Sequence, residues 1–114
     1  MIAEATTALG LDVLVGDWRN TNPEPGIARI VCEENGDGRL RVTADNWGTV
    51  VAPVFAFEFD SDKAGAFLAV FDLGFEEVRM QANVKQGVLV VATFNAFKDD
   101  SGRSNYFNRE FFHR

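Results

Sequence analysis

Few side chains in this sequence are placed to do chemistry, and the most informative are polar residues within apolar, alternating segments. Four such residues are Asn20, Asp72, Asn95 and Arg109. A buried amide, carboxylate or guanidinium needs a partner, because an unpaired buried polar group costs about 1–3 kcal/mol. Two interpretations remain open. These groups satisfy one another or water at an open end, or they orient a largely apolar ligand.

The sequence contains no evident pair of a nucleophile and a base. Cys32 has no basic neighbour in its segment that would generate a thiolate, so we expect a buried and inert thiol. If Asp72 were buried among the neighbouring phenylalanines, its carboxyl would have a raised pKa and could give or accept a proton. Whether the protein is an enzyme stays open at this point, and Asp72 is the catalytic candidate if it is.

The composition argues against several classes of partner. The 11 Lys and Arg residues and 17 Asp and Glu residues give a formal net charge of −6, whereas nucleic acids and anionic membranes select a basic face. With 1 cysteine and 1 histidine, an internal disulfide or a zinc site of the usual ligand types is not expected. We therefore predict no metal, no cofactor, no nucleic-acid partner and no membrane partner.

The length and the apolar content predict a single domain over residues 1–114. A chain of 114 residues that is 46% hydrophobic suits one folded domain. The first residues lack the basic opening of a signal peptide, and no run of about 18 apolar residues marks a membrane span, so we expect a cytoplasmic protein. The 11 phenylalanines predict an aromatic interior with few polar groups.

Turn-forming residues divide the sequence into short segments rich in β-branched and aromatic residues, which predicts strands. The first ten residues are expected to form a short helix that ends at Gly10. The predicted strands cover residues 15–22, 27–33, 39–44, 48–59, 65–73, 75–85, 88–97 and 104–112.

About eight consecutive short strands favour an all-β fold, a single antiparallel up-and-down barrel, over a two-sheet sandwich with long crossover loops. The interior of such a barrel holds packed side chains or one small molecule. Alternation is expected to place five apolar residues on its wall: Phe55, Phe57, Val78, Met80 and Phe94. Because 11 phenylalanines are enough to fill this interior, a ligand-free barrel remains an alternative.

The segment Gly16-Asp17-Trp18, at the start of the first predicted strand, resembles the lipocalins and the wider calycin barrels. In that family the tryptophan plugs one end of the barrel, and an arginine from the last strand stacks over it. The resemblance implies that Trp18 is this plug and that Arg109 is its partner, or that the pair lines a ligand site. A guanidinium over an exposed indole contributes about 0.5–1 kcal/mol.

A closer resemblance is to a group of small bacterial proteins of unsettled activity. Their chains carry Gly-x-Trp-x-Asn-Thr-Asn, then Trp-Gly, then Ser-Gly-Arg-Ser-Asn-Tyr-Phe, and this sequence has these residues at 16–22, 47–48 and 101–107. Such proteins often carry a cysteine pair before the Trp-Gly, which this sequence lacks. The resemblance therefore supports the fold more than a function.

Together these observations predict a barrel that binds a small, largely apolar or aromatic molecule. Trp47, beside a turn, either caps the core or overhangs the barrel as a lid. The candidate ligand-binding residues are Trp18, Asn20, Trp47, Phe55, Phe57, Asp72, Met80, Asn95 and Arg109. The alternatives are a cyclase or isomerase that folds a natural-product-like substrate inside the barrel, and a ligand-free interaction module that forms a homodimer through exposed strands.

Overall fold

The structure is a computed structural model that describes residues 9–21, 27–56, 62–98 and 106–114. These residues form nine strands, and a short 3₁₀ turn, Asp45–Trp47, connects the third to the fourth. The strands are β1 (Gly16–Asn20), β2 (Arg29–Glu34), β3 (Leu40–Ala44), β4 (Gly48–Ala52), β5 (Val54–Ala56), β6 (Ala64–Asp72), β7 (Glu76–Lys85), β8 (Val88–Phe97) and β9 (Tyr106–His113).

All nine strands belong to one antiparallel sheet, in the order β4-β3-β2-β1-β9-β8-β7-β6-β5. The strands β4 and β5 lie at opposite edges of this sheet, yet only Pro53 separates them along the chain. One segment therefore spans both edges and draws the sheet into a nearly closed barrel. Across the junction, the Leu68 backbone N–H donates to the Pro53 carbonyl at 3.3 Å. The expected all-β, antiparallel, barrel-like architecture is confirmed.

Proline explains why the predicted strand over 48–59 is divided. Pro53 has no N–H to donate to a ladder, so regular pairing stops there. Beyond it the register shifts between Phe55 and Ala56, which is a β-bulge or irregularity. The remainder of the predicted strand, including Phe57, lies outside the described residues.

The two longest strands show best how alternation builds the core. In β7, Val78 and Met80 are fully buried while Arg79 and Gln81 are exposed. In β8, every second residue from Leu89 to Asn95 is buried. Val78 and Met80 therefore lie on the interior wall as predicted. Among the described residues, the largest fully buried side chains are Trp18, Phe67, Phe71, Phe112, Leu14, Ile30, Leu40, Met80, Leu89, Val42, Val78 and Val91.

Two of the predicted wall residues face outward instead. Phe55 is 51% exposed and Phe94 is 45% exposed, so their predicted inward orientation is wrong. Phe94 lies between the buried Thr93 and Asn95, and neighbouring residues of a strand point to opposite faces. For Phe55, the register shift beside it breaks the phase that the sequence alternation suggested.

The two ends of the barrel are built differently. At the lower end, where β1 begins, Gly10 pairs with the chain before β6: its N–H donates to the Asp62 carbonyl at 2.8 Å, and its carbonyl accepts from the Ala64 N–H at 2.8 Å. Leu11 and Leu14, both buried, lie in the turn that follows. At the upper end, β1 ends at Asn20 and β7 begins at Glu76.

The helix expected over the first ten residues falls mostly on residues 1–8, which lie outside the described ranges; Leu9 and Gly10 are not helical. Within the part of the chain that the structure describes, no helix is long and apolar enough to cross a membrane.

Candidate functional site

The lower end of the barrel is plugged by Trp18 and Arg114. The Trp18 side chain is fully buried, and its indole N–H donates to the Leu14 carbonyl at 2.9 Å. The Arg114 guanidinium carbon lies 4.4 Å from the centroid of the Trp18 ring. Arg114 also donates from Nη1 to the Val15 carbonyl at 2.6 Å. The indole and the guanidinium thus join β1, the end of β9 and the turn that precedes β1.

The expectation that Arg109 stacks over Trp18 is wrong. Arg109 is exposed and pairs in register with Ala92, whose neighbours Val91 and Thr93 point inward. Phe112 pairs with Asn20 and His113 pairs with Arg19. Continuing this antiparallel register places Arg114 across from Trp18. An arginine two residues beyond the buried Phe112 shares its face, whereas Arg109 lies on the opposite face.

Gly16 is the position where this plug requires glycine. A Cβ built on Gly16 would lie 2.6 Å from the Arg114 Cδ, and the Gly16 φ of 153° is one that other residues rarely adopt. The glycine two residues before the tryptophan therefore gives the arginine side chain room to lie against β1. The Gly-x-Trp spacing has a steric cause in this chain.

Replacing Gly16 with alanine is expected to lower the free energy of unfolding by about 1–3 kcal/mol, because a methyl group overlaps Arg114 and strains the backbone. Urea denaturation followed by circular dichroism measures this change. The control is Gly36→Ala, which also has a positive φ, of 91°, but meets nothing within 4 Å. Equal losses in the two variants would show that backbone strain alone acts and that the contact with Arg114 does not matter.

The upper end of the interior holds polar side chains in two amide–carboxylate pairs. Asn20 donates from Nδ2 to Glu110 Oε2 at 2.8 Å and to the Ile27 carbonyl at 2.7 Å. Asn95 donates from Nδ2 to Glu76 Oε2 at 2.7 Å. Asn20 and Asn95 are both buried, as expected from the sequence. Their carboxylate partners, Glu110 and Glu76, were not among the predicted site residues.

One atom of Asn95 has no hydrogen-bond partner among the described residues. The residue is 3% exposed, and its Oδ1 accepts no hydrogen bond from the described part of the chain. Glu76 is 7% exposed. Thr93 is 3% exposed and lies two residues before Asn95, on the same face of the strand. This end of the interior is therefore rich in hydrogen-bond acceptors that are shielded from bulk solvent.

Trp47 contributes an aromatic surface at the same end. It is partly buried, and its ring lies 5.5 Å from the ring of Phe71, centroid to centroid, at an angle of 55°. Trp47 follows β3 and Phe71 belongs to β6, whereas the amide–carboxylate pairs lie on β7, β8, β9 and β1. The upper end thus has an aromatic side and a polar side.

The expected burial of Asp72 is wrong. Asp72 is exposed on β6, because Phe67, Ala69 and Phe71 occupy the inward positions. Its pKa is lowered, first by a hydrogen bond from the Lys98 ammonium at 2.7 Å and then by the Gly74 backbone N–H. A carboxyl group with this pKa is ionised at neutral pH, so it lacks the raised pKa that would suit it to proton transfer.

Cys32 is 1% exposed, and burial raises the pKa of its thiol to about 12. The thiol is thus buried, as predicted, and its raised pKa makes it a weak acid. Among the described residues, no group of three or more His, Cys, Asp or Glu side chains is arranged to hold a metal ion.

Among the described residues, apolar side chains line shallow grooves on the outer face of the barrel. One groove, of about 310 Å³, is lined by residues that include Phe55, Leu68 and Gln81. The other, of about 290 Å³, includes Leu68, Ala92 and Phe94. Outward-facing Phe94 and Phe111 are each nearly half exposed, so β8 and β9 present an apolar surface to solvent.

Comparison with protein-family models, with curated proteins and with solved structures found no match to this chain. The class that the fold defines is a nearly closed antiparallel β-barrel, consistent with a calycin-like fold.

Proposed function

We propose that this protein is a calycin-like barrel that binds one small, largely apolar or aromatic molecule at the upper end of its interior. The contrast between the two ends supports this proposal. Trp18 and Arg114 fill the lower end with mutual contacts, whereas the upper end holds a few polar groups among apolar ones. Small-molecule sites commonly have this composition.

The unpartnered Oδ1 of Asn95 is the observation on which the proposal chiefly rests. A buried acceptor without a donor costs about 1–3 kcal/mol in a protein interior. A ligand that donates to this oxygen would remove that cost on binding. Val78, adjacent to Asn95 across the ladder, and the ring of Trp47 would contact the apolar part of the ligand.

The neutral fluorescent probe N-phenyl-1-naphthylamine provides a direct test. We expect it to bind with a stoichiometry of about 1:1 and with increased, blue-shifted emission, since its environment becomes apolar. Trp47→Ala should weaken binding by roughly tenfold, which corresponds to about 1.4 kcal/mol of lost contact. The control is Phe111→Ala, which removes an aromatic side chain that is 48% exposed on the outer face. Loss of binding in Phe111→Ala but not in Trp47→Ala would place the probe outside the barrel and refute the proposal.

The natural ligand is then sought in a metabolite extract incubated with the protein. A compound that is depleted from the extract and recovered intact from the denatured protein supports a carrier or sensor. A compound that returns as an isomer or a new mass supports the cyclase or isomerase alternative, which now lacks its candidate acid because Asp72 is exposed.

The outer apolar surface favours a second candidate function, a homodimer formed through the outer faces of β8 and β9. Phe94 and Phe111, on neighbouring strands, are 45% and 48% exposed, and exposed apolar surface often marks an interface. Sedimentation of the wild type and of the Phe94→Ser variant tests this candidate. A wild type that sediments as a monomer at all concentrations would refute it.

A further inference from the structure

We propose that the ligand carries an ammonium or a similar N–H donor group, which binds in the upper end of the barrel between Glu76 and Asn95. This inference rests on the proposed function and specifies the chemical class of its ligand. The body of the ligand is apolar or aromatic, as above. The polar contacts of the described residues define its head group.

The orientation of the Asn95 amide leaves Oδ1 available to accept a hydrogen bond. Its Nδ2 lies 2.7 Å from Glu76 Oε2. If the amide were rotated by half a turn, its oxygen would face the carboxylate oxygen at that distance, and two acceptors repel each other. Glu76 therefore fixes the amide with Nδ2 toward the carboxylate. The free Oδ1 accepts only, so a complementary ligand group must donate.

The charges at this end of the interior select the same kind of group. Glu76 is buried, and Glu110, two strands away on β9, is partly buried. Within the described ranges, both carboxylates receive amide hydrogen bonds and neither forms an ion pair. The described residues place no cation beside these two carboxylates, and a cation is attracted to a carboxylate more strongly where water is excluded.

Three cationic side chains among the described residues lie on the outside of the barrel. Lys98 is exposed and bound to Asp72, Arg29 is exposed and bound to Asp17, and Arg109 faces outward on β9. None of these three enters the interior to neutralise the two glutamates. A ligand ammonium group would take that role.

An organic ammonium suits these surroundings better than a metal ion. Calcium requires about six to eight oxygen ligands and magnesium an octahedral set, whereas Val78 and Met80 line the wall beside Glu76 and Asn95. An ammonium group needs few acceptors and carries its own apolar body. The aromatic side formed by Trp47 and Phe71 is suited to that body.

Three probes with one naphthalene body but different head groups test the inference: 1-naphthylmethylammonium, 1-naphthalenemethanol and 1-naphthylacetate. Their affinities for the wild-type protein are measured by calorimetry in physiological salt, which screens charges on the surface. We expect the ammonium to bind roughly tenfold more tightly than the alcohol, and the carboxylate to bind most weakly. This ranking needs no variant, so it tests the proposal even if substitutions prevent folding.

Glu76→Gln supplies the second arm of the experiment. It is expected to weaken binding of the ammonium by roughly tenfold and to change binding of the neutral alcohol by less than about twofold. The matched control is Glu34→Gln, an equal change in net charge at an exposed position of β2 at the lower end. Circular dichroism establishes that both variants are folded.

The outcomes separate this inference from the proposed function. If the alcohol and the ammonium bind equally well, the ligand class is wrong while the binding function survives. If Glu34→Gln weakens the ammonium as much as Glu76→Gln does, the preference reflects overall charge and the inference is overturned. If none of the three naphthyl probes binds, both the inference and the proposed interior site are refuted.

Discussion

Replacing Trp18 with alanine is expected to lower the free energy of unfolding by about 3–5 kcal/mol. The side chain is fully buried, so its loss removes a large apolar area and leaves a cavity. The substitution also removes the hydrogen bond to the Leu14 carbonyl and leaves the Arg114 guanidinium without its aromatic partner. Against a total stability of about 5–15 kcal/mol for a typical domain, this loss brings the protein close to unfolding.

Urea denaturation followed by far-ultraviolet circular dichroism measures this loss without relying on the tryptophan signal. The control is Phe111→Ala, on β9, where the aromatic side chain is 48% exposed and its removal should cost less than about 1 kcal/mol. A Trp18→Ala protein as stable as this control would mean that the plug does not hold the lower end together.

The thiol of Cys32 is expected to react with Ellman's reagent at least about a thousandfold more slowly in the native protein than in urea. Burial raises the pKa of the thiol from 9.0 to about 12. At a fixed pH near 8, a pKa that is higher by about three units lowers the thiolate fraction by about a thousandfold. The sequence contains 1 cysteine, so the absorbance change reports this thiol alone. Rapid labelling under native conditions would contradict the burial that the structure assigns to it.

The same shift predicts how stability depends on alkaline pH. The unfolded thiol ionises near pH 9.0 and the native thiol only near 12, so the native state retains the proton over this interval. The contribution of the buried, protonated thiol to the free energy of unfolding is complete below pH 9. It is lost as the pH rises toward 12, up to a total of about 4 kcal/mol. Cys32→Ala should show a shallower alkaline decline than the wild type, and parallel declines would refute this assignment.

Turn residues and hydrophobic patterning located most of the described strands, although the predicted strand over 48–59 is divided at Pro53. The predicted segments 75–85 and 88–97 correspond to Glu76–Lys85 and Val88–Phe97. Between them, Gln86 and Gly87 both have positive φ, as a tight two-residue hairpin turn requires. Such signals are local, and they do not depend on which face of the strand is buried.

The orientation of side chains was harder to predict where both faces of a strand are apolar. In β6, Leu68 and Val70 alternate with Phe67, Ala69 and Phe71, and either set could have formed the interior. The barrel buries the phenylalanines, so Asp72 points to solvent. The set that contains the two phenylalanines could have indicated the inward face, since burial of aromatic rings removes the most apolar area from water.

The two carboxylates of the candidate site illustrate a different limit. Glu76 is in phase with Val78 and Met80, and Glu110 is in phase with Phe112. Their phase predicts an interior position, but glutamate is seldom buried without a partner. Those partners, Asn95 and Asn20, come from other strands, so only the three-dimensional structure pairs them.

The seam between β1 and β9 has a consequence for the order in which the protein folds. The ladder there joins Asn20 to Phe112, whereas the tight turn after Lys85 brings β7 and β8 together within a few residues. Hairpins form in roughly 1–10 μs, but contacts between distant parts of a chain are slow, because loop closure costs entropy before the contacts form. The hairpin of β7 and β8 should therefore form early and the seam late. Burial of the Trp18 indole would mark the final kinetic phase of folding.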